Sequence, residues 1–130
     1  EQAIQKECDG TQIRFLGEVA LEEKVRLFQT CKALIYFVQE AEVTSHKVQE
    51  AMLCGAPVIT FGIGALPEIV SHRVNGFLCA TPAEFPFRIQ QVDDLHPEKV
   101  YPEFRQKYAI DYVVKSYEPL LQEVARGLRW

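Results

Sequence analysis

Residues 33–70 constrain this chain more than any other stretch. Ala33-Leu34-Ile35-Tyr36-Phe37-Val38 is apolar throughout, the composition of a central strand covered on both faces. A loop holding Glu42 follows. A helix is then expected over 45–54, capped by Thr44 or Ser45, with Val48, Ala51 and Met52 as its buried stripe and Gly55 as its stop. Gly55-Ala56-Pro57 turns the chain into a second strand over 58–61, and a glycine loop with Gly62 and Gly64 comes next. Strands joined through a helix form a parallel sheet with right-handed crossovers. Ligands of such sheets bind outside the carboxyl ends of the strands. The loop of Glu42, the start of the helix and the glycine loop are all delivered to that edge. Glu50 lies off the buried stripe and is expected to face solvent or a second lobe across a cleft.

The remaining segments read as support. Residues 1–8 are expected to close a helix at Asp9-Gly10, so that the chain reads as opening inside a fold. A strand is expected over 13–16, stopped at Gly17, and a helix over 21–30 with Leu21, Val25, Leu27 and Phe28 on its dry side. Pro67 starts a helical turn over 67–71, Asn75-Gly76 marks a turn, and a strand follows over 77–80. Thr81-Pro82-Ala83-Glu84 has the capping-box pattern. Pro86 leaves two outcomes, a turn before a helix over 87–92 or a kinked helix. His96-Pro97 breaks the chain before a helix over 98–108. The longest amphipathic stretch, 111–128, holds Pro119, which is expected to bend it, and a stripe of Tyr112, Val113, Tyr117 and Leu121 that reads as core packing. The expected class is α/β, a Rossmann-like three-layer parallel sheet with helices on both faces and about four strands, few for a complete doubly wound domain.

Bulk properties exclude several function classes. With 130 residues the chain is expected to be one domain over 1–130, and 48% hydrophobic with 25% charged residues is an ordinary globular composition. A net charge of −4 opposes a nucleic-acid partner, which calls for a clustered basic footprint. No apolar run reaches membrane-spanning length, and the polar first residues lack a signal peptide's apolar core. Cys8, Cys31, Cys54 and Cys79 form no C-x-x-C pair and read as reduced, buried thiols of a cytoplasmic protein. No G-x-G-x-x-G follows a strand, which opposes a dinucleotide-dependent oxidoreductase.

Five pattern pieces carry a family resemblance. They are Phe15-Leu16-Gly17 with the helix after it; Glu42-x7-Glu50-Ala51-Met52-x-x-Gly55-x-Pro57-Val58-Ile59; Gly64-Ala65-x-Pro67-Glu68-Ile69-Val70; Asn75-Gly76-Phe77-Leu78; and Tyr108-Ala109-x-Asp111-x-Val113-Val114-x-x-Tyr117. In this order the chain resembles the C-terminal, nucleotide-sugar-binding half of group 1 (family 4) retaining glycosyltransferases of the GT-B fold, without that half's first strand.

The resemblance implies roles that suit the chemistry, because carboxylates accept strong hydrogen bonds from hydroxyl pairs. Glu42 takes the catalytic, sugar-facing role, and Glu50 meets the donor ribose. The diphosphate lies at the helix start, around Thr44, Ser45, His46 and Lys47, where free N–H groups and the dipole favour an anion. Gly17, Glu18 and Val19 hold the base through backbone groups, and Gly62 and Gly64 allow close backbone approach or unusual backbone angles. The implied enzyme transfers a hexosyl group from a nucleotide diphosphate-sugar to a glycan or lipid-linked acceptor. It needs no metal or other cofactor and works with an acceptor-binding N-terminal lobe, in the cytoplasm or peripheral to the membrane. The segment alone is expected not to turn over. Val43-Thr44-Ser45 replaces the glycine-aromatic-glycine run common after the first glutamate, and Ala65 stands where a second glycine is usual. Two alternatives therefore stay open: a degenerate, non-catalytic scaffold or interaction domain on the same fold, and half of a nucleotide-sugar epimerase.

Overall fold

The computed structural model describes residues 7–127, so the helical end expected over 1–8 lies outside the described residues save for its last two. Three parallel strands form the sheet among them, in the order β1 (Leu34–Tyr36), β2 (Val58–Phe61), β3 (Gly76–Cys79). Leu34 pairs with Val58 and Val58 with Gly76, so the three strands end together at one edge. Helix α1 (Leu21–Thr30) precedes β1, α2 (His46–Leu53) joins β1 to β2, and α3 (Leu66–Ile69) lies between β2 and β3. A 3-10 turn, Pro82–Glu84, leads into α4 (Phe85–Gln90), and a second, Val92–Asp94, leads to α5 (Pro97–Tyr108) and α6 (Ile110–Ala125).

Strand alternation sorts the core into two layers. On one face Val58 joins Val48, Ala51 and Met52 of α2, Leu66 and Ile69 of α3, and Phe104 of α5. On the other, Ile59, Phe77 and Cys79 pack against Phe85, Val92 and Leu95. Val48, Met52, Val58, Ile59 and Leu66 are fully buried, and each such side chain contributes about 1.5–3 kcal/mol. The Pro86 ambiguity resolves as a turn followed by a helix: Pro86 occupies the first turn of α4, where its missing N–H costs nothing. The Glu84 carboxylate accepts the N–H groups of Ala80 and Thr81, both at 3.0 Å, and these bonds hold it below the usual carboxylate range.

Four expectations fail. Residues 13–16 form no strand; the Asp9 carboxylate accepts the N–H groups of Thr11, Gln12 and Ile13, a local arrangement that competes with ladder pairing, and Ile13, Phe15 and Leu16 are exposed. Among the described residues β1 is therefore an edge strand rather than a central one, and its Ile35 and the following Phe37 are half exposed. The stripe on α6 is not core: Tyr112, Val113, Tyr117 and Leu121 are all exposed, because α6 packs along α5 and no described element covers its apolar face. Of the four thiols only Cys79 is buried, and Cys31, just past the end of α1, is exposed. The helix of α6 runs unbroken through Pro119.

Gly76 is set by space: a Cβ there would run into the Val58 carbonyl oxygen and meet Val70 Cγ1 at 3.0 Å. At Gly62 an added Cβ finds only Leu78 Cβ at 3.8 Å, an ordinary contact. Gly76→Ala is expected to cost about 1–3 kcal/mol in urea unfolding, as overpacking does, with Gly62→Ala close to wild type. Equal midpoints for the two variants would contradict this packing.

Candidate functional site

The carboxyl edge of the sheet assembles the site as the parallel topology requires. β1 ends at Tyr36, and the chain crosses through residues 37–45 into α2. Thr60 Oγ1 on β2 donates to the Tyr36 carbonyl at 2.9 Å and ties the two strand ends together. Glu42 lies in that crossing, and its own carbonyl accepts the Ala65 N–H at 3.0 Å. Gly64 sits directly beneath it with φ +58°, and a Cβ there would stand 2.6 Å from Glu42 O and 2.9 Å from Glu42 N. Of the two expected roles for Gly64, the structure shows the unusual backbone angle, used to let the glycine loop press against Glu42. Gly62 is exposed and under no such constraint.

The Glu42 carboxylate is half-buried and accepts the Tyr36 phenol at 2.6 Å through Oε1. Burial, then this bond and the Glu42 charge, push the Tyr36 phenol above its ordinary pKa, while the nearby Ser45 hydroxyl pulls it back. Ser45 occupies the N-cap position of α2, but its hydroxyl is buried beside the phenol and does not cap the helix. No acid occupies the first turn either, so the N–H groups at the start of α2 keep their partial positive charge. His46 and Lys47 are exposed in that turn, and Lys47 Nζ lies 5.8 Å from the Tyr36 ring centroid. Cations are disfavoured at this helix end, and an anion bound there would relieve the conflict.

Two adjoining hollows follow from this layout. One of about 490 Å³ is lined by Tyr36, Phe37, Gln39, Glu40, Glu42 and Lys47. The other, about 190 Å³, is lined by Tyr36, Glu42, Thr44, Ser45, His46 and Lys47. A larger concavity of about 660 Å³ runs along α6, but its lining is the apolar face of one helix with Glu118 and Gln122 at the side. The polar and charged side chains gather in the smaller pair. Val43 projects into solvent with 91% of its surface exposed, so its side chain leaves the hollows open.

Glu50 lies off the buried stripe, as expected, with 43% of its side chain exposed, and its Oε2 meets Lys24 Nζ of α1 at 2.9 Å. Burial, then the Glu50 charge, pushes the nearby Cys54 thiol up. Gly17, Glu18 and Val19 form the loop that enters α1, and Gly17 adopts φ +66°. The structure thus brings Glu42, Thr44, Ser45, His46 and Lys47 together around one helix end, sets Gly64 beneath Glu42, and puts Glu50 on the flank of the same helix. Tyr36 and Lys24 escaped the sequence reading. A phenol inside the otherwise apolar run 33–38 was the available signal for Tyr36; nothing separates Lys24 from its charged neighbours in α1.

Comparison with known proteins decides the family. The profile described as glycosyl transferases group 1 matches residues 1–92. The chain belongs to this family. A curated relative, N-acetyl-alpha-D-glucosaminyl L-malate synthase of Bacillus anthracis, is 27% identical over 126 residues, which is 88% of this chain and 31% of that protein. The crystal structure of HepE from Anabaena, in complex with UDP-glucose, superposes with a TM-score of 0.67 at 22% identity, covering 87% of this chain and 33% of that one. The chain thus spans about a third of the length of either relative. Its fold is the Rossmann-like half of a GT-B glycosyltransferase, and no described helix is long and apolar enough to cross a membrane.

The Lys24–Glu50 pair is partly exposed, 33% and 43% at the two side chains, so solvent screens it. Lys24→Met is expected to change the unfolding free energy by less than about 1 kcal/mol. A larger loss in urea unfolding would mean that the pair is a structural anchor between α1 and α2.

Proposed function

We propose that this chain is the donor-binding lobe of a retaining glycosyltransferase that transfers a hexosyl group from a nucleotide diphosphate-sugar. The carrying observation is the uncapped start of α2, flanked by Glu42 on the preceding loop and Glu50 on the helix side. A diphosphate fits that helix end, where N–H groups converge and the dipole favours anions. Glu50 meets the ribose hydroxyls and Glu42 the hydroxyls of the sugar. Departure of the diphosphate as an acceptor hydroxyl attacks is eased by the same helix end, with no metal in the scheme. The loop of Gly17, Glu18 and Val19 takes the base. The acceptor, a glycan or lipid-linked sugar, is held by a separate lobe. UDP-glucose bound to HepE and the glucosaminyl product that names the Bacillus relative make uridine diphosphate-sugars the first donors to test.

A second reading, a scaffold domain that binds no donor, is favoured by Val43-Thr44-Ser45, which offers neither a glycine nor an aromatic ring beside Glu42.

Ligand-observed NMR with UDP, GDP and ADP and their common sugars separates the two. One base is expected to be preferred. Glu50→Ala is expected to weaken that ligand roughly 10- to 100-fold, the worth of a hydrogen-bonded charged group, with thermal unfolding little changed. Unaltered affinity in the variant removes Glu50 from the ribose, and silence across the panel favours the scaffold.

A further inference from the structure

The Glu42 residue is fixed at three points. Ala65 N–H holds its carbonyl, Gly64 leaves no room beneath its backbone, and the Tyr36 phenol takes Oε1 at 2.6 Å. Tyr36 is the one hydrogen-bond donor to that carboxylate among the described residues. The phenol is itself held: its strand end is tied by Thr60, and the ring lies under Lys47 and beside Ser45. Tyr36 lines both hollows of the site, and so does Glu42. An ionised carboxylate offers about four acceptor positions on its two oxygens, and a charge-assisted O–H···O⁻ bond to one of them fixes the carboxylate plane.

We propose that Tyr36 is a positioning residue that sets selectivity for the sugar half of the donor by holding Glu42 with Oε1 turned to the protein and Oε2 toward the sugar hydroxyls. The proposal rests on the donor-lobe reading. Its consequence is a separation between ligands. A nucleoside diphosphate without a sugar engages Glu50 and the start of α2 and does not need Glu42. A nucleotide-sugar needs Glu42 in one orientation. Without the phenolic O–H the carboxylate rotates freely, and ordering it is charged against sugar binding alone.

The test measures the affinities of UDP, UDP-glucose, GDP, GDP-mannose, ADP and ADP-glucose for the whole protein, as wild type, Tyr36→Phe, Glu42→Gln and the double variant. Tyr36→Phe is expected to weaken the preferred nucleotide-sugar about tenfold and to leave its free nucleotide unchanged. The double variant is expected to bind the nucleotide-sugar no more weakly than Glu42→Gln alone, the mark of two groups acting as one unit. Equal weakening of both ligands, or of neither, overturns the proposal, as does full additivity in the double variant. Failure of the wild type to bind any ligand of the panel strikes the donor-lobe reading instead and takes this proposal with it. Melting curves of Tyr36→Phe keep a folding defect apart from these outcomes, because the phenylalanine ring preserves the packing of the phenol.

Discussion

β2 is the only described strand with hydrogen-bonded neighbours on both sides and cover on both faces. Val58, Ile59 and Thr60 are fully buried. A strand so enclosed has to satisfy every backbone group through its ladders, since an unpaired buried N–H or C=O is expensive. That requirement fixes β1 and β3 in register beside it. It also fixes where they end. The loops that leave β1 and β2 emerge side by side, and the meeting of those loops makes the site.

At that meeting the close contact between Gly64 and the backbone of Glu42 does the positioning. A loop with nine residues between strand and helix, 37–45, has the freedom to place a carboxylate almost anywhere. Three restraints remove that freedom, one from β1 itself through Tyr36 and two from the glycine loop. Glu50 is held more loosely, on a helix flank and by a partly exposed lysine. The two acids therefore differ in character: Glu42 is restrained by the fold, and Glu50 is held by one partly exposed ion pair.

Where sequence and structure agree, the signal was local. The bounds of α1 and β2 follow from periodicity and from the apolar run, and α2 follows from Val48, Ala51 and Met52 with Gly55 beyond. Where they part, the missing information was about partners. Residues 13–16 have strand composition, but a strand needs a neighbour, and Asp9 offers their N–H groups a nearer acceptor. The α6 stripe has the right spacing for burial, yet periodicity tells which face is apolar and not what lies against it. The same limit hid the site's supports. Tyr36 and Glu42 are close in sequence but meet only because the chain reverses after β1, and Lys24 and Glu50 lie 26 positions apart. The two glutamates were singled out as candidates from their spacing and from the family pattern around them.

The measurement that bears most directly on the central claim is a crystal structure of the protein with UDP-glucose. The account predicts the diphosphate at the N–H groups that open α2, the ribose at Glu50 and the hexose hydroxyls at Glu42 Oε2, with the Tyr36–Glu42 bond intact. A donor seated elsewhere, for example along the apolar face of α6, or a hexose turned away from Glu42, would contradict it.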